Sequence, residues 1–137
     1  MFTGRYLKFN GNGAVITATD TISDAAQWEA VQVGDNPTIL AIQKQGTESA
    51  LDNLGGLGML MATSFKKKKT QTFKLNLNQD SNFNIVQDDR LYLFYDISAS
   101  SFKLARNVPG HMKGFRFATD DGSRLWPDHV VTQHKWL

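Results

Sequence analysis

Leu7, Leu51 and Leu93 recur at intervals of about 42 to 45 residues, and the same events follow each in the same order. A large aromatic comes about 21 or 22 residues later: Trp28, Phe73 and Phe115. Between leucine and aromatic lies a short apolar run: Ala14–Ala18, Met59–Thr63 and Phe102–Arg106. A second run follows the aromatic: Thr38–Ile42, Phe83–Val86 and Leu125–Trp126. A chain of 137 residues is thus written three times. A repeated unit buries its apolar face against its neighbours, so the repeat constrains the fold before any single motif does.

Turn chemistry divides each unit. Gly11-Asn12-Gly13 follows the first strand, where Gly and Asn tolerate positive φ. Gly34-Asp35-Asn36-Pro37, Asn78–Asn82 and Asp120-Asp121-Gly122 fall at matching places after the three aromatics. Period-two alternation marks the strands: Phe73, Leu75 and Leu77 share one face and Lys74 and Asn76 the other, and Phe115 and Phe117 flank Arg116. Only Ile22–Ala30 and Thr47–Leu51 have room for a helical turn. Four short strands in each of three units predict an all-β fold, the β-trefoil, a six-stranded barrel capped by three hairpins. The units are roughly 1–45, 46–88 and 89–137 of one domain, with both triplets in the core. For the end of the chain two readings stay open: Leu125–Trp126 as the last strand, or closure by Val130-Val131 beyond Pro127.

Composition narrows the function. Apolar residues make up 41 % and charged residues 20 %, enough for a packed core and too much apolar content for a disordered chain. The net charge of +2 gives no argument for nucleic acid. With no cysteine, disulfides, thiolate metal sites and cysteine nucleophiles are excluded. The histidines, His111, His129 and His134, form no metal-ligand spacing, so neither metal nor cofactor is expected. Asp88-Asp89 and Asp120-Asp121 sit in turns, where Asp serves local hydrogen bonding. No nucleophile, base and orienter can be assembled from the sequence, and the expectation is a protein that is not an enzyme. No signal peptide and no apolar run long enough to span a bilayer is visible, which points to a soluble cytoplasmic protein, with unconventional secretion left open.

Three groups of residues carry a family likeness. Gly4-Arg5-Tyr6-Leu7, the turn, Ala14–Ala18 and Gln27-Trp28-Glu29 form one cadence. Met59–Leu75 repeats it with a basic stretch, and Val108-Pro109-Gly110, Phe115-Arg116-Phe117 and Asp120-Asp121-Gly122 close it. The chain resembles the fascin-like, actin-cross-linking β-trefoil superfamily. It is also similar to agglutinin-type and ricin-B-type trefoil lectins. The resemblance implies a non-catalytic binding module. Fascin strings four trefoils together where this chain has one, and the Q-x-W signature of ricin-B lectins is missing, since Gln27 directly precedes Trp28.

Residues that do not recur in triplicate are the candidates for function. Lys66, Lys67, Lys68 and Lys69, expected at a hairpin tip, would attract an acidic surface, with Lys103, Arg106 and Lys113 as a second basic patch. The plainer reading of the run is a solvated, edge-protecting turn. The resemblance makes actin or another acidic protein surface the first expected partner, and bundling of filaments by one trefoil would need two sites or a homodimer. The alternative is a carbohydrate-binding lectin using Trp126, Asp128 and His129, because glycan sites pair a stacking face with a few polar groups. Packing is the plainer role for Trp126. A heparin-binding signalling module using the same lysines is a third possibility. Asn53–Met59 has the glycines of a phosphate loop but neither its Gly-Lys-Ser/Thr ending nor a following helix, and reads as a turn.

Overall fold

The computed structural model describes residues 6–20, 28–54, 60–77, 83–109, 115, 117–118 and 124–125. These residues form twelve strands. The first unit contributes β1 (Tyr6–Lys8), β2 (Thr17–Thr19), β3 (Trp28–Gln32) and β4 (Leu40–Lys44). The second contributes β5 (Ser49–Asn53), β6 (Leu60–Ser64), β7 (Lys74–Leu77) and β8 (Phe83–Gln87). The third contributes β9 (Leu91–Asp96), β10 (Ser101–Ala105), β11 (Phe117–Ala118) and β12 (Arg124–Leu125). Four strands per unit, repeated three times and paired antiparallel, is the β-trefoil arrangement.

The sheets do not respect the unit boundaries. Strands β3-β4-β5-β6 form one sheet and β7-β8-β9-β10 another, so each four-stranded sheet joins the end of one unit to the start of the next. A second link repeats in the same form. Leu40 and Phe73 exchange both backbone hydrogen bonds, at 2.9 and 2.8 Å, and Phe83 and Phe115 do so at 2.7 and 2.6 Å. Leu40 and Phe83 hold equivalent places in successive units, as do Phe73 and Phe115. Each link therefore ties the last strand of one unit to the aromatic of the next. The first hairpin docks likewise: Ile16 N–H donates to Leu60 O at 2.9 Å and Ala62 N–H to Ala14 O at 3.0 Å.

Local chemistry explains the turns. Gly11 and Gly13 take φ of 115° and 87°, conformations that L side chains rarely adopt, and so let the chain reverse ahead of β2. Asp88 and Asp89 take φ of 60° and 58° between β8 and β9, the two consecutive left-handed residues of a tight hairpin turn. Arg90 N–H closes that turn on Gln87 O at 3.3 Å. Asp tolerates this backbone because its side chain can bond locally.

The core is built in triplicate. Leu7, Leu51 and Leu93 are buried, Trp28 and Phe73 are buried, and Phe115 packs against the same cluster. Nine residues past each leucine stand Ile16, Leu60 and Phe102, and eleven past stand Ala18, Ala62 and Leu104; all six belong to the core or pack on it. Burying one such large side chain contributes about 1.5–3 kcal/mol. The indole of Trp28 donates to Leu7 O at 3.1 Å, so its one polar atom is satisfied inside.

Several expected boundaries shift. Thr47–Leu51 holds no helical turn: Ser49–Asn53 is strand β5, entered through a turn in which Thr47 N–H bonds Lys44 O. Pairing with β6 across five register positions overrides the local preference. In the Ile22–Ala30 stretch, Trp28–Ala30 are extended in β3, and residues 22–27 lie outside the described residues. Asn78–Asn82, Asp120-Asp121-Gly122 and Pro127–Leu137 also lie outside them.

Candidate functional site

Lys66–Lys69 do not sit at the tip of a two-stranded hairpin. They lie in the connection from β6 to β7, which belong to different sheets, and lead into a single 3-10 turn at Lys69–Gln71. All four are exposed, and Lys67 takes a left-handed φ of 57°. A segment that concentrates like charge repels itself, so something must hold its backbone. Gln71, fully buried, does so. Its Oε1 accepts from Lys66 N at 2.9 Å and Lys68 N at 3.3 Å. Its Nε2 donates to Thr63 Oγ1 and to Ser64 O, both at 2.8 Å. Gln87 holds the other end, donating from Nε2 to Lys69 O at 3.2 Å and Thr72 O at 3.3 Å. Asn53 Nδ2 completes the set by donating to Gln87 Oε1 at 2.9 Å.

The network ends on a buried carboxylate. Asp52 in β5 is 0 % exposed. Its Oδ2 accepts from Thr63 Oγ1 at 2.6 Å and lies 3.5 Å from Lys68 Nζ. Its Oδ1 has no hydrogen-bond partner among the described residues. A buried charge needs a counter-charge, and Lys68, whose side chain stays 47 % exposed, supplies it from the rim. Lys68 is thereby committed to the fold. Among the described residues, no partner meets the ammonium groups of Lys66, Lys67 or Lys69.

Beside this segment opens a cleft of about 240 Å³. Ile39 and Thr72 line it, Phe73 and Val86 lie buried behind it, and Lys69, Lys74, Asp88 and Asp89 give its charged margin. Lys74 Nζ is bonded to Asp89 Oδ1 at 2.8 Å, and Arg90 stands 3.6 Å from Asp88 Oδ2. The space lies below the roughly 300–1,000 Å³ of typical small-ligand pockets, and its margin sets charged groups of both signs around the opening. Sequence reasoning reached Lys69 but missed the rest. Asp89 in the β8–β9 turn bonds Lys74 across 15 positions, and only the fold brings that turn to the lysine segment.

Of the second basic patch, Lys103 and Arg106 are among the described residues. Lys103 Nζ bonds Asp96 Oδ2 at 3.0 Å across the β9–β10 hairpin. The Asp96 carboxyl is held below its usual range, first by that bond and then by the Ala99 backbone N–H. Arg106 is exposed just past β10. Lys113, Trp126, Asp128 and His129 lie outside the described residues. Among the described residues, no group of three or more His, Cys, Asp or Glu side chains could hold a metal ion. No helix among them is long and apolar enough to cross a membrane.

No protein-family model matches the sequence, and no curated protein sequence matches it. Solved structures share its fold, among them the following three. A designed threefold-symmetric protein, ThreeFoil, superposes with a TM-score of 0.64 at 15 % identity, covering 81 % of this chain and 88 % of its own. A GlcNAcα1-4Gal-releasing endo-β-galactosidase from Clostridium perfringens gives 0.67 at 12 % identity, over 82 % of this chain and 29 % of the enzyme. A GH43 β-1,3-galactosidase gives 0.60 at 22 % identity, over 80 % of this chain and 24 % of the enzyme. The chain thus spans less than a third of either galactosidase. At these identities the likeness is one of fold. The fascin-like resemblance holds as far as the trefoil skeleton, and none of these three structures is an actin cross-linker.

Proposed function

We propose that this chain is a non-catalytic β-trefoil module that binds carbohydrate, with galactose-containing glycans as the class. The supporting observation is the fold likeness to two enzymes named for cleaving galactosides, in each of which the shared part is a minority of the chain. A part of that size can hold a glycan while the rest of an enzyme cleaves one. The ligand site in this reading is the cleft of Lys69, Thr72, Lys74, Asp88 and Asp89, where polar groups converge as they do in sugar sites. Sugar hydroxyls would donate to the aspartates and accept from the lysines.

A glycan array tests the reading. Retention of galactose-containing glycans, competed by free galactose and lost in the double variant Asp88→Ala/Asp89→Ala, is the expected result. Silence across the array removes the carbohydrate reading. One observation favours protein-surface binding as a second reading: Lys66, Lys67 and Lys69 are exposed, and no partner among the described residues meets their ammonium groups. Co-sedimentation with actin filaments that disappears in the triple Lys→Glu variant at these positions would support it, and no co-sedimentation of the parent chain ends it.

A further inference from the structure

The cleft and the lysine segment are one construction, and their charges do not cancel. Lys74 is matched by Asp89, Arg90 by Asp88, and Lys68 by the buried Asp52. Lys69 lines the cleft and has no such match among the described residues. Lys66 and Lys67, also unmatched, stand on the same short segment. The lining of the cleft is itself balanced, two lysines against two aspartates, and the unmatched cations stand at its Lys69 margin. An unmatched ammonium gains from an anion, because a hydrogen bond with an ionised partner is roughly twice as strong as one between neutral groups.

The segment is also held in shape before any ligand arrives. Gln71 and Gln87 fix its backbone at Lys66, Lys68, Lys69 and Thr72 through five hydrogen bonds to backbone atoms of 64–72. Both side chains are buried. Fixing the backbone beforehand lowers the entropy cost of binding, which is a reason to build a buried polar network at this place.

We infer that the cleft takes a glycan bearing a carboxylate or sulfate on the sugar, with Lys69 reading the anionic group and Asp52, Gln71 and Gln87 acting as positioning residues. The inference rests on the carbohydrate reading above and sharpens it to acidic glycans. Lys68 is excluded from the contact, because leaving Asp52 would strand a buried carboxylate that already has one unpartnered oxygen.

The experiment compares a sulfated galactan with the same galactan after chemical desulfation, and with polyglutamate as a polyanion that is not a glycan. Binding of the full chain is measured by calorimetry at low and physiological salt. The expected result is binding of the sulfated form about tenfold tighter than the desulfated form, the worth of one charge-assisted hydrogen bond. The difference should narrow as salt rises. Lys69→Gln, an exposed substitution whose folding is checked by thermal melting, should remove most of that difference. Equal binding of both galactans overturns the inference and leaves the carbohydrate reading standing. Binding of neither overturns both. Polyglutamate bound as tightly as the sulfated galactan overturns the inference by showing general cation exchange. Loss of the difference in Lys66→Gln/Lys67→Gln but not in Lys69→Gln overturns the assignment to the cleft.

Discussion

The first and second units place different chemistry on the same two positions of one skeleton. Two residues after the leucine and at the end of the fourth strand, the first unit has Phe9 and Lys44; the second has Asn53 and Gln87. Phe9 packs edge-on against Trp28, with ring centroids 6.2 Å apart, and Lys44 Nζ stands 6.0 Å from the Phe9 ring. Asn53 instead donates to Gln87, and Gln87 passes the connection to the backbone of Lys69 and Thr72. The residue before each shows the same divergence: Lys8 in the first unit, the buried Asp52 in the second, Phe94 in the third. Aromatic packing is short-ranged and serves the core in place. A buried polar pair must satisfy every donor and acceptor, and so reaches into whatever backbone lies nearby. In the second unit that backbone is the lysine segment.

The comparison breaks most visibly if the shared core is not shared energetically. Leu51→Ala and Leu93→Ala are each expected to cost about 2–5 kcal/mol by urea denaturation, since both sites are fully buried and neither can collapse freely. Their costs should agree to within about 1 kcal/mol, well inside the spread seen when surroundings differ. A larger gap would mean that the units pack their leucines differently.

A smaller effect sharpens the polar half of the comparison. Lys68→Met is expected to destabilise by roughly 1–2 kcal/mol, less than for a fully buried pair because Lys68 is half exposed. Adding Asp52→Asn should recover much of that loss, because the stranded charge is gone. A double-mutant cycle measures the coupling. Additive costs would show that Lys68 does not serve as the counter-ion of Asp52.

The third unit supplies the smallest effect and its sign. Asp96 has a lowered pKa in the folded chain, with Lys103 the main cause and the Ala99 N–H next. Its contribution to stability is therefore fully present above the unfolded carboxylate pKa and lost as pH falls through the lowered folded value. Lys103→Met should move the Asp96 titration upward, as read by carboxyl NMR shifts. An unmoved titration would mean that Ala99 and the turn, not Lys103, hold the carboxyl down.

The trefoil core was legible from spacing because burial is periodic. Leu7, Leu51 and Leu93 with Trp28, Phe73 and Phe115 mark places that the fold must fill three times, and apolar side chains of suitable size suffice there. The lysine run was legible as a surface feature, and its exposure follows from four adjacent charges. Its setting was not. Asp52 lies within Leu51-Asp52-Asn53 and looks like any polar residue of a half-buried strand. The repeat held one usable signal, a carboxylate at a position occupied elsewhere by Lys8 and Phe94.

Local pattern and turn chemistry settle which residues go inward and where the chain reverses, since both depend on neighbours a few positions away. Which lysine is free depends on contacts between residues far apart in sequence. Lys68 is matched by a carboxylate 16 positions back, and Lys69 faces a turn about 19 positions on. Those distances close only when β5 pairs with β6 in one sheet and β7 with β8 in the other. Four identical side chains in a row thereby acquire different roles through tertiary packing.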